Sequence, residues 1–261
     1  MPVKQQAVPG APYWIDLSTS DLGSAIEFYD ALFGWRAERG DGDADHVDFT
    51  LNGIPIAGAM QKELDADYPD EWTPYLLTHD AASTWAKVSE AGGTNAFEVM
   101  TIPGVAVMGV AADPSGATFG YWQPLEHPGF GVIGEPGAPA WFEVLARDYA
   151  ASLAFYERAF DWTTEVESDT DEFRYRVFAN GGEQLAGIMD ATWLPPGVPG
   201  YWLVYFGVAD VDAAVASAVH HGGGVAQPAA DSPYGRNAEL NDPTGATFKV
   251  IEVGGVTRSG E

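Results

Sequence analysis

The stretch APYWIDLSTSDLGSAIEFYDALFGWRAE, Ala11 to Glu38, occurs twice: Ala138 to Glu165 reads APAWFEVLARDYAASLAFYERAFDWTTE. The copies align without a gap at an offset of 127 (141 minus 14), Trp14 on Trp141, Asp16 on Glu143 and Asp21 on Asp148. Phe28 and Tyr29 match Phe155 and Tyr156, and Trp35 matches Trp162. Tyr13 to Leu17 alternates and is rich in aromatic and β-branched residues, which predicts a strand. Asp21 supplies N-cap chemistry, and Leu22, Ala25, Ile26, Tyr29 and Phe33 follow at helical spacing. Gly34 ends that helix.

Working outward, the repeat reaches the ends of both halves. Ala57-Gly58-Ala59-Met60 answers to Ala186-Gly187-Ile188-Met189, and Asp113-Pro-Ser-Gly-Ala-Thr-Phe119 to Asp242-Pro-Thr-Gly-Ala-Thr-Phe248. A period this long is a domain duplication rather than a solenoid. Within the first half, strands are expected at 46–51 and 54–61 around an Asn52-Gly53 turn. A second unit follows, with a strand at 73–78, a helix at 81–91, and strands at 95–100, 105–111 and 117–123. The second half repeats the order. The expected class is α+β: four βαβββ modules, two per half, with domains at 11–123 and 140–253. The Pro- and Gly-rich stretch 124–139 reads as the linker.

The net charge is −26, with 12 Lys and Arg against 38 Asp and Glu. Such a surface repels nucleic acid and anionic membranes. With no cysteine, disulfides, thiolate nucleophiles and Cys-ligated zinc are excluded. No apolar run reaches membrane-spanning length and the first residues lack a signal-peptide core, so a cytoplasmic protein, monomer or homodimer, is expected.

Three features together resemble the vicinal-oxygen-chelate superfamily, which includes glyoxalase I, extradiol dioxygenases and bleomycin-resistance proteins. They are the paired modules, the Phe-Tyr…Phe-x-Trp helix exit in both halves, and Asp-Pro-[Ser/Thr]-Gly-Ala-Thr-Phe before each last strand. In detail the chain is similar to two-domain actinobacterial members labelled hydroxylases or glyoxalase-like antigens, some of them in aromatic polyketide and anthracycline pathways. The resemblance implies a cupped, mostly antiparallel sheet around one ligand cavity per module pair. It also implies metal ligands at set inward points, which here correspond to Trp14, Thr73, Trp141 and Leu203 on first strands and Gly120 and Lys249 on last strands. None of these is a metal ligand as it stands, since Trp only donates and a Lys ammonium cannot coordinate. No metal and no cofactor is therefore expected.

If Trp14 faces inward, alternation carries Asp16 with it, and Glu143 goes with Trp141. Tyr75 and His79 share the face of Thr73, Tyr205 that of Leu203, and Trp122 that of Gly120. The expected cups are aromatic boxes with one carboxylate each. Trp14, Trp122, Trp141, Thr73 and Leu203 would contact a planar aromatic ligand. Asp16 or Glu143 would move a proton, and Tyr75, Tyr205, His79 or Lys249 would steady an enolate or a leaving hydroxyl. The plain alternatives are core packing for the tryptophans and loop caps or Arg partners for the carboxylates. His46 and His127, in polar and linker contexts, read as solvent-facing, and His220-His221 as a favourable helix terminus.

The first functional reading is a metal-independent tailoring enzyme of secondary metabolism, a cyclase or dehydratase acting on an aromatic, polyketide-like small molecule. The alternative is a non-catalytic binder that sequesters a drug-like aromatic compound. A third, a metal-dependent lyase or dioxygenase with relocated ligands, has only five scattered histidines to draw on.

Overall fold

A computed structural model describes residues 7–39, 45–63 and 65–254. The start of the tail and residues 40–44 of the expected acidic turn lie outside the described residues. The first module comprises β1 (Pro12–Thr19), α1 (Leu22–Phe33), β2 (Arg36–Glu38), β3 (His46–Leu51) and β4 (Ile54–Gln61). The second comprises β5 (Glu71–Leu77), α2 (Ala81–Glu90), β6 (Thr94–Asn95), β7 (Met100–Ile102), β8 (Ala106–Ala112) and β9 (Thr118–Pro124). The third comprises β10 (Pro139–Ala146), α3 (Tyr149–Phe160), β11 (Thr164–Asp169), β12 (Arg174–Asn180) and β13 (Glu183–Asp190). The fourth comprises β14 (Tyr201–Val208), α4 (Val211–His220), β15 (Gly224–Ser232), β16 (Gly235–Asn241) and β17 (Thr247–Glu252).

An aspartate opens each helix. Asp21, Asp80, Asp148 and Asp210 accept from the backbone N–H of Ser24, Ser83, Ala151 and Ala213, satisfying donors that the first turn leaves open.

Each half forms one curled sheet. The order is β2-β3-β4-β1-β5-β9-β8-β6, with β7 also on β8, in the first half and β11-β12-β13-β10-β14-β17-β16-β15 in the second. The two modules of a half meet at its centre, where β1 pairs antiparallel with β5 and β10 with β14. A register shift just before Trp14, and another just before Trp141, sets which residues face the cup. The strand expected at 95–100 is split into β6 and β7. The Asn95 side chain donates to Trp85 O and Ser89 Oγ and accepts from Tyr121 Oη, while its backbone stays paired with Ala111.

The sheet faces turned away from the cups share a core with the helices, and this core crosses between halves. Tyr29 on α1 stacks on Trp35 and meets both Phe49 and Phe248 of the other half. Its hydroxyl accepts from Trp72 Nε1 at 2.9 Å and donates to Asp242 Oδ2 at 3.2 Å. In the mirrored place, Tyr156 accepts from Trp202 Nε1 at 2.9 Å, faces Asp113, and packs on Phe119. The other oxygen of each aspartate, Oδ1, holds its own turn, accepting from Ser115 and Ala117 N–H or from Thr244 and Ala246 N–H. The two repeated motifs are thus the two sides of one lock. Trp35 donates to Gly137 O and Trp162 to Gly10 O, tying each helix exit to the start of the opposite half.

Candidate functional site

At the floor of the first cup the parallel registers set Asp16 opposite Gly58 and Tyr75 opposite Gly120. Both glycines are required there. A Cβ at 58 would overlap the Asp16 carboxylate, and one at 120 would overlap the Tyr75 ring. Five side chains close a ring. Trp14 Nε1 donates to Asp16 Oδ1 at 3.0 Å. The Trp14 ring meets His127 edge-on at 4.4 Å between centroids, His127 meets Trp122 at 5.3 Å, and Trp122 meets Tyr75 at 5.2 Å. The Tyr75 hydroxyl faces Asp16 and completes the ring.

Burial raises the Asp16 carboxyl to about 6, against the pull of His46 and the Trp14 and Tyr75 bonds. Glu71, which also bears on Tyr75, is raised by burial to about 7, with Lys62 pulling the other way. His127 is lowered by burial to about 4, so it is a neutral imidazole at pH 7. Its Nδ1 accepts from Gly129 N–H, which leaves the proton on Nε2.

In the second cup the same positions are wired differently. Trp141 Nε1 donates to Tyr175 Oη at 2.9 Å, and the Tyr175 hydroxyl faces Glu143. Tyr205 Oη donates to Glu143 Oε1 at 2.6 Å and accepts from Lys249 Nζ at 3.2 Å. The Lys249 ammonium lies 3.9 Å from Glu239 and over the Tyr205 ring. Tryptophan and lysine only donate and a carboxylate only accepts, so Tyr205 accepts from Lys249 and donates to Glu143. Both tyrosine hydroxyls are held above their ordinary range by burial and by Glu143. The sheet curls until Tyr234, in the β15–β16 hairpin at one edge, comes within 6.4 Å of Tyr175 near the other.

The structure therefore brings Asp16, Tyr75, Trp14 and Trp122 together in one cup and Glu143, Tyr205, Lys249 and Trp141 in the other. Thr73 and Leu203 are buried beside them, opposite Asp16 and Glu143. Neither carboxylate pairs with an arginine; their partners are tryptophan and tyrosine. His79 lies beyond the end of β5, exposed and outside both cups, because strand alternation stops at Leu77. Two corrections concern the histidines expected in solvent. His127 is held in the first cup by the 124–139 segment, which is fastened down rather than free: Tyr13 Oη donates to His127 O, and Phe130 N–H to Tyr13 O. His46 is partly buried and faces Asp16 across Gly58. Trp14 is only 2% exposed, covered by His127 and Phe130, so it is a wall of the cup rather than an open stacking face.

Glu71, His46, His127, Tyr175 and Glu239 were not singled out as site residues from sequence. One signal was there: β3 and β12 align at an offset of 129 (175 minus 46), which pairs His46 with Tyr175 facing the two carboxylates.

The family model described as Glyoxalase/Bleomycin resistance protein/Dioxygenase superfamily matches residues 13–121 and 138–250. The chain is 34% identical over 258 residues to "Putative glyoxylase CFP32" of Mycobacterium tuberculosis, covering 97% of this chain and 98% of that one. It is 34% identical over 263 residues to "Anthracycline biosynthesis protein DnrV" of Streptomyces peucetius, covering 94% of each. Among solved structures, a Mn(II)-bound glyoxalase from Novosphingobium aromaticivorans superposes with a TM-score of 0.66 at 14% identity, covering 94% of this chain and 82% of that one.

A fold that carries manganese elsewhere raises the question of whether these cups fit a metal. Their donor sets do not. The centre of the first offers the Asp16 carboxylate with His46 across Gly58, one phenol, and His127 turned against the tryptophan rings, and the space at its two glycines is already filled. The centre of the second contains an ammonium ion. Among the described residues no three His, Cys, Asp or Glu converge on one point.

Proposed function

Because the chain belongs to the glyoxalase/bleomycin resistance protein/dioxygenase superfamily and is a third identical to a protein of anthracycline biosynthesis, we propose that it is a metal-independent tailoring enzyme of secondary metabolism. It acts in the cytoplasm on a planar, polyketide-like aromatic small molecule and promotes an acid–base step such as cyclisation or dehydration. The observation that carries this reading is the Asp16 carboxyl, set in an aromatic ring of side chains with its acidity tuned to about 6.

Asp16, mostly ionised at pH 7, is the base. Glu71, about half protonated there, is the acid. Two carboxyls in one cup, both raised towards neutral pH, suit a proton taken from one substrate atom and delivered to another. Trp14, which donates to Asp16 Oδ1, fixes the base in position, and Tyr75 faces it.

The test is turnover of aromatic polyketide intermediates by wild type and Asp16→Asn, with and without EDTA. Asp16→Asn keeps the shape, so turnover should fall by about 100-fold or more with affinity nearly unchanged, and EDTA should have no effect. Binding without turnover in the wild type would replace this reading with sequestration. Loss of activity in EDTA would refute metal independence.

A further inference from the structure

The two cups differ in one respect that bears on what the first one binds. In the second, the indole N–H of Trp141 donates to Tyr175 Oη at 2.9 Å. In the first, one fully buried indole N–H has no acceptor. Among the described residues, Trp122 Nε1 is the single buried side-chain N–H without an acceptor. Seven other tryptophans, at positions 14, 35, 72, 85, 141, 162 and 202, all donate to an oxygen. The ninth, Trp193, is exposed.

A buried N–H with no acceptor loses its bond to water and gains none, so its presence in a cup asks for a ligand atom. Trp122 is 4% exposed, with its ring against Tyr75 and His127. A water there would find ring faces where it needs further polar partners. The missing group is an acceptor, and it sits in the same closed ring as the Asp16 carboxylate.

We propose that the first cup takes an aryl ketone with an enolisable C–H, its carbonyl oxygen accepting from Trp122 Nε1 and the C–H facing Asp16. The inference rests on the acid–base reading of this cup and adds the substrate class and the oxyanion donor. The step balances without a co-reactant. The C–H bond breaks, its proton goes to the Asp16 carboxylate, and its electron pair forms the enolate C=C as the carbonyl π pair moves onto oxygen. Trp122 N–H bonds to that oxygen more strongly as charge develops. Reversal, or delivery of the proton to a leaving hydroxyl, completes exchange or dehydration.

The probes are 1-tetralone, a bicyclic aryl ketone, and tetralin, its skeleton without the carbonyl. Binding is followed by tryptophan fluorescence, and α-hydrogen exchange of the ketone in D2O by NMR. Trp122→Phe keeps a ring and removes the N–H. Its affinity for tetralone should fall about tenfold, equal to about 1.4 kcal/mol, with tetralin unchanged. Equal loss for both probes, no loss for either, or no binding of tetralone at its solubility limit overturns the proposal. Should the variant not fold, the wild-type indole N–H resonances decide: one must move downfield with tetralone and not with tetralin, and no such shift is a refutation. The two readings fail separately. Trp122-dependent ketone binding without α-exchange sinks the acid–base reading alone, whereas Asp16-dependent exchange that ignores Trp122→Phe sinks this one alone.

Discussion

Asp16 and Glu71 should impose a bell-shaped pH profile on the reaction of the first cup. The base works when ionised, so the rate rises as pH passes about 6, and the acid works when protonated, so the rate falls as pH passes about 7. Glu71→Gln should abolish the alkaline limb, and a profile still falling above pH 7 in that variant would remove Glu71 from the mechanism. Both carboxyls are raised on folding, so their contribution to stability is complete below their unfolded values and is lost as pH rises through 6 and 7. Catalytic readiness at neutral pH is thus obtained at some expense of stability. Lys249 behaves in the opposite sense. Lys249→Met would leave Glu143 and Glu239 buried without their cation. Burial and Glu143 already push the Glu239 carboxyl up while Lys249 pulls it down. Denaturation should show a loss of about 3 kcal/mol where Glu239 is ionised, and the loss should shrink as falling pH protonates it. A loss independent of pH would mean that only packing was removed.

At the scale of elements, the repeat made the four modules legible, because turn chemistry and apolar spacing recur in both halves. Asp16, Glu143, Tyr75, Tyr205 and Lys249 could be placed on strand faces by alternation alone. Alternation failed where strands ended or the partner lay elsewhere: at His79 past β5, at His127 in a segment with no period, and at His46 and Tyr175, whose role depends on a glycine on the neighbouring strand. The linker looked like a spacer because Pro and Gly hide its tertiary bonds. The small residues after α2 and α4 were legible only as helix stops, yet they set the approach of the halves. A Cβ at Gly93 would lie 2.6 Å from the Phe155 ring and 2.9 Å from Ala112 O, and one at Gly223 would lie 2.7 Å from Asn241 O and 2.8 Å from the Phe28 ring. Gly93→Ala and Gly223→Ala should each cost about 1–3 kcal/mol in chemical denaturation. A neutral result at both would mean that the helices can separate freely.

At the scale of the whole molecule, the shared core implies one cooperative transition where a chain with two sheets would suggest two. Calorimetry should give a single endotherm with matching calorimetric and van't Hoff enthalpies. Two resolved peaks would show that the halves are independent. The charge of −26 also opposes compaction, so added salt should raise the melting temperature by screening that repulsion.

The reciprocal pairing of Tyr29 with Asp242 and of Tyr156 with Asp113 has a further consequence for how the polypeptide can be divided. Residues 134–136 are exposed, so a protease can nick the chain there without touching either lock. The fragments would stay associated, because each supplies the tyrosine for one lock and the aspartate for the other. Expressed alone, a fragment would present half of two aromatic cores to water and aggregate; co-expressed, the two would complement one another and elute as one species of the parent's size.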